Sequence, residues 1–420
     1  MKVFKFGGAS VDSAERIKNV ASILRSYQNE QLLIVISAMG KTTNALEKVV
    51  EAFYNGEKET ALELFQVIRL QHLQRAKELL NTHYSGTEKK LSEFFTEVEW
   101  LLHDQPVRDY DYYYDQVVCI GELISTVIVS AFLNESGLSN NWLDVRDIVR
   151  TDDTFRDAGI DWEFTIRKVE KEVLPLFNDF QHLILQGFIG STDENESTTL
   201  GREGSDYTAA VFANMLNAES LTIWKDVSGV MNSDPKVFPE AVLLSELSYE
   251  EVIEMAFYGA QVIHPKTIKP LQNKKLPLLV KSFLNPQLPG TIIHERSMHN
   301  IPPVIVIKEN QALLHLRSSD FSFVGEKAVA DLYHHFAAFK IKPNLIQTGA
   351  VSIHVCIDDQ PEKNERLAGM VAGGFDVMLE KDLTLITIRH DNGKLLSDLT
   401  RGKKIELLQR SPETVQALIR

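Results

Sequence analysis

Short, uninterrupted apolar runs alternate with amphipathic stretches along the first 290 residues. Leu32-Leu33-Ile34-Val35-Ile36 and Leu183-Ile184-Leu185 contain no polar position. Such runs are the mark of strands buried on both faces of a parallel sheet covered by helices. The stretch after Val11 has a different period. Ile17, Val20, Ile23 and Leu24 form one stripe at helical spacing, with Asp12 as the expected N-cap and Glu15 three residues on as a partial capping box. Strands alternating with helices in this way predict α/β architecture. Residues 57–105 break the alternation: they are Glu- and Leu-rich and helical in period, so a helical insertion is expected. The run Asp109 to Asp115, with four tyrosines, reads as an exposed turn with partly buried rings. Asn285, Pro286, Pro289, Gly290, Pro302 and Pro303 mark a linker. Beyond it the pattern predicts a strand (Ala312 to Leu316), a helix (Gly325 to Ala338), a strand (Leu345 to Ile357), a helix (Lys363 to Met370) and a strand (Leu383 to Ile388). Two short apolar runs follow, at Ile405 to Leu408 and Val415 to Ile419. Small α+β modules fit this region. No fixed-period repeat or low-complexity tract is present.

Composition narrows the class. A length of 420 residues allows two or three domains. Lys and Arg number 44 against 58 Asp and Glu, a formal net charge of -14, which disfavours nucleic acid and anionic lipid as partners. The two cysteines, Cys119 and Cys356, are too few for a disulfide framework, and a reducing, cytoplasmic setting is expected. The N-terminus reads as a strand entering a glycine turn rather than a signal peptide. Val117 to Leu133 is interrupted by Glu122, Ser125 and Thr126, so no membrane span is expected there.

Five segments could carry chemistry. In Lys5-Phe6-Gly7-Gly8-Ala9-Ser10, a lysine within a buried strand is costly unless it meets an anion. The two glycines can turn backbone N–H groups outward as an anion nest, and the next helix adds its positive end. A surface lysine before an ordinary turn is the alternative. Gly40-Lys41-Thr42 mimics a P-loop, but Val35 stands where that loop needs glycine. Ser37 to Asn44 is therefore a strand-to-helix loop of another kind, whose hydroxyls face a ligand or cap the helix. In Gly121-Glu122-Leu123-Ile124-Ser125-Thr126, Glu122, Ser125 and Thr126 share one helix face. A half-buried carboxylate there needs donors and could hold a substrate ammonium; a solvent-facing stripe is the alternative. Thr198 to Ala210 contains a glycine-rich turn running into a helix, with Arg202 suited to a carboxylate and Asp206 near the helix start, where an N-cap role also fits. Gln186-Gly187-Phe188-Ile189-Gly190 precedes it. Last, Trp224-Lys225-Asp226-Val227-Ser228-Gly229 leads into a polar loop with Asn232, Asp234 and Lys236, by itself a weak nucleotide signal. No His, Cys or carboxylate set has metal-ligand spacing, and no Ser-His-Asp arrangement is readable.

Taken in order, these segments resemble the aspartate kinases of the amino acid kinase family. The likeness covers residues 1–295 and includes Gly259-Ala260-Gln261-Val262-Ile263-His264-Pro265; Gly204-Ser205-Asp206-Tyr207-Thr208-Ala209-Ala210 is the most specific run. It implies a three-layer amino acid kinase fold with a central, mainly parallel sheet. The region 303–420 resembles the family's small α+β, ferredoxin-like ACT regulatory modules, with the second module shortened. The implied reaction is transfer of the ATP γ-phosphoryl group to the β-carboxylate of L-aspartate, at the head of the lysine, threonine and methionine pathways. By resemblance, Lys5 stabilises the transferring group with Gly7 and Gly8, and Asp206 orients Lys5. Thr43, Glu122, Arg202 and Ser205 hold aspartate, while Ser37, Lys225, Asp226 and Lys236 line the nucleotide site. ATP and Mg2+ are implied, the metal without a dedicated protein cage, as is a homodimer through the C-terminal modules or a larger homo-oligomer.

Several positions depart from the family pattern. Ala9 replaces a threonine or serine, Lys225 a threonine, Met231 a tyrosine, Lys236 an arginine and Gln261 a lysine. Gln347-Thr348-Gly349-Ala350 stands where lysine-sensitive relatives carry a Ser/Thr-Ser-Glu-like contact, so weak or absent lysine feedback is expected. The roughly 120 residues after the kinase region leave no room for a fused homoserine dehydrogenase. Two other functions remain open: a kinase acting on glutamate or acetylglutamate, and an ACT-type amino-acid sensor without turnover. The retained Lys5, Arg202 and Asp206 speak against the sensor.

Overall fold

The computed structural model describes residues 1–260, 263–296, 301–320 and 322–420. Gln261, singled out above, lies outside the described residues. The chain divides into two compact units. The first holds residues 1–230, 243–253 and 263–297; the second holds 231–242, 254–262 and 298–420.

The first unit is built on strands β1 (Lys2–Phe6), β2 (Leu32–Ile36), β3 (Asn140–Trp142), β4 (His182–Gln186), β5 (Ile189–Ser191), β6 (Ser197–Thr199), β7 (Leu221–Lys225), β8 (Glu246–Ser248), β9 (Leu278–Ser282) and β10 (Thr291–His294). Eight of them form one sheet in the order β3-β4-β2-β1-β7-β9-β10-β8, and β5 and β6 form a separate ribbon. Every pairing in the large sheet is parallel except β9 with β10. β2 and β4 are buried at every position. Strands with no wet face need helices on both sides, which is why these two read as apolar runs. The sheet's carboxyl-terminal edge gathers Phe6, Ile36, Gln186 and Trp224 in adjacent strands. The loops leaving that edge build the site, as is general for open α/β sheets. Residues 57–105 form the helices Lys58–Leu79 and Tyr84–His103.

The second unit carries one six-stranded sheet, ordered β12-β13-β11-β14-β16-β15, with β11 (Val304–Ser318), β12 (Pro343–Thr348), β13 (Ser352–Asp358), β14 (Phe375–Arg389), β15 (Ile405–Arg410) and β16 (Thr414–Ile419). β11 and β14 are each 15 residues long and pair antiparallel along their length, with register shifts between Lys308 and Leu313. The later half of β11, the helix Glu326–Ala338, β12, β13, the helix Pro361–Val371 and the early half of β14 make a complete βαββαβ unit. The later half of β14, the helix Leu395–Leu399, β15 and β16 make a second, closed by the early half of β11. The two modules therefore interlock, each long strand serving both. The second has only that five-residue helix among the described residues.

Five local expectations need correction. Asp109 to Asp115 is not an exposed turn. Tyr110–Val118 is a helix whose Tyr110 and Tyr113 rings pack edge-on against Tyr54 and Phe53, and Asp115 is wholly buried. Leu345 to Ile357 is two strands, parted at Gly349, whose amide donates to the Ser352 carbonyl at 2.8 Å. The strands at Ala312 and Leu383 run much longer than their apolar cores, because each spans both modules. The first helix is capped by Ser13, whose hydroxyl accepts from the Arg16 amide; Asp12 instead pairs with the Arg16 guanidinium. The segment Val117 to Leu133 belongs to a helical run, Tyr110–Glu135, that is long and apolar enough by composition to cross a membrane. Most of its apolar window is packed inside the unit, as a core helix is.

Candidate active site

Lys5 sits near the end of β1, surrounded by apolar strand residues, and is only 9% exposed. Its Nζ lies 2.7 Å from Oδ1 of Asp206, in the first turn of the helix Gly204–Met215. Lys225, at the end of the neighbouring β7, approaches the other Asp206 oxygen at 4.0 Å. Burial works to raise the Asp206 carboxyl, but the Lys5 and Lys225 ammonium groups outweigh it and hold the group below its ordinary value. Asp206 is therefore an ion-pair partner rather than an N-cap. The cap position belongs to Glu203, in the left-handed region at φ 53°, and Glu203 Oε2 accepts from the His264 amide.

Gly8 fits where no other residue could. A Cβ there would lie 2.7 Å from the Ala38 carbonyl oxygen and 2.9 Å from that of Gly40. The Gly7-Gly8 turn thus nests against the loop after β2, tied by the Gly40 amide donating to the Gly8 carbonyl at 3.1 Å. Ser37, Ala38, Gly40 and Thr43 bring that loop into the same cleft.

Glu122 enters from the helix Ile120–Glu135. It is 3% exposed and its neighbours Ser125 and Thr126 are fully buried, so the face is not a solvent stripe. The Ala38 amide donates to Glu122 Oε1 at 3.3 Å, and the Ser125 hydroxyl donates to the Ser37 carbonyl at 2.8 Å. Glu122 Oε2 has no hydrogen-bond partner among the described residues. Burial pushes the carboxyl up to about 8, more than the Ala38 bond and the charge of Lys5 can offset. An added cationic donor would relieve it.

The cleft has a volume of ≈ 550 Å³ and gathers Lys5, Gly7, Gly8, Ser37, Thr43, Glu122, Arg202, Ser205, Asp206, Lys225 and Asp226. Lys236 is not in its lining. It lies in the 231–242 segment of the second unit, where its amide donates to Asp234 Oδ1. Tyr114, Arg156 and Thr199 also line the cleft, and the sequence reading gave them no role in the site. They share one organiser. The buried Asp115 carboxylate accepts from the Arg156 amide at 3.0 Å, the Thr199 amide at 2.7 Å and the Thr199 hydroxyl at 2.7 Å. Arg156 has a left-handed backbone, φ 69°, and its guanidinium stacks 4.4 Å from the Tyr114 ring centre while pairing with Asp111. The i, i+4 spacing of Tyr110 and Tyr114 was the available signal for this helix.

The arrangement combines an anion nest, two ammonium groups around a buried carboxylate, two guanidinium groups and one partly satisfied carboxylate. It suits an anionic group in transfer beside an acceptor that carries both charges. A sequence model of the amino acid kinase family matches residues 1–282, and the chain belongs to that family. Over 85% of its length it is 32% identical to lysine-sensitive aspartokinase 3 of Escherichia coli, spanning 78% of that protein. It is 35% identical, again over 85% of its length, to the chloroplastic aspartokinase 1 of Arabidopsis thaliana, of which it spans 63%. The structure of E. coli aspartokinase III in complex with aspartate and ADP matches over 100% of this chain and 96% of that one, with a TM-score of 0.83 at 28% identity. Within the family, the chain falls among the aspartokinases.

Proposed function

We propose that the chain is an aspartate kinase, transferring the γ-phosphoryl group of ATP to the β-carboxylate of L-aspartate. A carboxylate oxygen attacks phosphorus, the bond to the β,γ-bridging oxygen breaks, and 4-phospho-L-aspartate and ADP result. The product would feed lysine, threonine and methionine synthesis. The acceptor is ionised at neutral pH and needs no general base, so catalysis reduces to positioning and charge stabilisation. The observation that carries this reading is the Lys5–Asp206–Lys225 cluster facing Glu122 across one cleft.

In this reading Asp206 holds Lys5 against the transferring group, whose oxygens also meet the Gly7 and Gly8 amides. Lys225, Asp226 and Ser37 face the nucleotide. Arg202 binds a carboxylate of aspartate, with Ser205 and Thr43 beside it, and the unsatisfied Glu122 oxygen receives the ammonium. Arg156 adds a second guanidinium. Among the described residues no group of three His, Cys, Asp or Glu side chains could cage a metal. Magnesium arriving with the nucleotide needs only one or two carboxylates, which Asp206 and Asp226 could supply. The region after residue 303 would act as an ACT-like regulatory part and as the contact in a homodimer. A cytoplasmic setting suits the two cysteines, both free and buried.

The test is aspartate-dependent hydroxamate formation with ATP and magnesium, run beside glutamate and acetylglutamate as acceptors. Turnover with aspartate alone is expected. Turnover with another acceptor only, or with none, would overturn the reading. Lys5→Ala should lower kcat by about 10²–10³-fold, the range for loss of one transition-state donor.

A further inference from the structure

Behind the loop that follows β2 lies a second cleft, ≈ 420 Å³, wholly within the first unit. Gly40 lines both clefts; Met39, Lys41 and Thr42 line the rear one. The far wall is the helix Lys58–Leu79, which contributes Ile68, His72, Arg75 and Glu78. The kinase reading uses none of these side chains.

The floor is apolar around Met39, Ala45 and Ile68, with one polar atom whose hydrogen bonding is incomplete. His72 is 4% exposed. Its Nδ1 lies 2.8 Å from the Ile68 carbonyl, which can only accept, so Nδ1 carries the proton and Nε2 is a bare acceptor. Burial holds the ring down to about 4, so it is neutral at physiological pH. Among the described residues Nε2 has a single 3.4 Å contact, with the Thr42 hydroxyl, and that hydroxyl donates instead to the Met39 carbonyl at 2.6 Å. The floor therefore presents an acceptor in want of a donor. The rim carries both signs. Arg75 pairs with Glu78 and Asp12 with Arg16, while the Lys41 ammonium has no ion-pair partner among the described residues.

We propose that this rear cleft binds a small amino acid with a side-chain hydroxyl. Its carboxylate meets Lys41, its ammonium meets the Glu78 and Asp12 carboxylates, and its hydroxyl donates to His72 Nε2. The volume lies within the usual range of small-molecule sites. An occupant would press on the loop whose other side carries Ser37 and Thr43 and on which Gly8 is packed. The site would thus bear on the front cleft from within the same unit.

The test reads binding without turnover, so its outcome is separate from that of the kinase reading. Full-length protein carrying Arg202→Ala, which silences the front cleft toward amino acids, is titrated calorimetrically with L-serine and L-threonine. L-alanine and L-valine, which lack the hydroxyl, are the controls. One hydroxyl amino acid is expected to bind at least tenfold tighter than its control. Lys41→Ala should weaken it at least tenfold, and His72→Phe should bring the pair level. Lys41 is exposed at the start of a helix, so its variant carries the test even where the His72 change does not fold. Absence of binding by all four, or binding that Lys41→Ala leaves unmoved, overturns the proposal.

Discussion

Glu122 is the residue whose environment costs most and explains most. It is buried among Ala38, Leu123 and the floor of the cleft, with one oxygen bonded and the other bare. Its carboxyl rises to about 8 from an unfolded value near 4.5. The folded chain therefore binds more protons than the unfolded chain between those values. Its contribution is most favourable below about pH 4.5 and declines as pH climbs through the window to about 8. Glu122→Gln keeps the shape and removes the charge. Its Tm should exceed that of the parent by a margin that widens from about pH 5 to about pH 9, and aspartate KM should rise at least tenfold. A margin that shrinks with pH would contradict the burial argument. Lys5 and Glu122 were both legible as candidates, because a charged side chain inside an apolar pattern stands out. The alternatives, a surface lysine and a wet stripe, could be dismissed only once burial was known.

At the scale of elements, the cleft depends on how closely the turn after β4 approaches the helix Gly204–Met215. A Cβ on Gly187 would lie 2.5 Å from Ser205 Cβ and 2.6 Å from Ser205 Cα, and the latter is backbone that cannot yield alone. The Thr208 hydroxyl ties the same turn by accepting from the Phe188 amide at 2.9 Å. Gly187→Ala should cost about 1–3 kcal/mol in urea unfolding, the usual range for overpacking. It should also raise aspartate KM through the displaced Ser205. An unchanged stability would mean that the turn can shift freely. The helix Tyr110–Val118 shows the opposite case, an element the sequence hid. Its acidic and aromatic letters look like a surface turn, yet Asp115 is buried because Thr199 and Arg156 supply its donors from more than 40 residues away. No local pattern reports partners that distant.

At the scale of the whole molecule, two interlocked α+β modules accompany the α/β unit. The end of β12 and the turn after it hold Gln347, Thr348, Gly349 and Ala350, all exposed and all uncharged. None of these four residues offers a carboxylate to the ammonium groups of a lysine effector. About 10 mM L-lysine should therefore lower aspartate-dependent hydroxamate formation less than twofold. Strong inhibition would place a lysine site elsewhere. The long strands β11 and β14 also explain why the module boundaries were hard to read. The apolar cores at Ala312 to Leu316 and Leu383 to Ile388 mark only the halves that each module buries most deeply, while the strands continue through the shared centre of the sheet.

The sequence by itself determined the α/β alternation, the order of the cleft-forming loops and most of the charged residues that meet there. These follow from local periodicity, from glycines at close approaches and from charges set in apolar surroundings. Only the tertiary structure decided that Asp206 pairs with Lys5 rather than capping a helix. It also decided that Glu122 is left half satisfied and that Asp115 carries the wall bearing Arg156. Each depends on which distant groups fold back to supply a donor, a charge or a covering surface, and hydrogen bonding and burial are properties of the assembled chain.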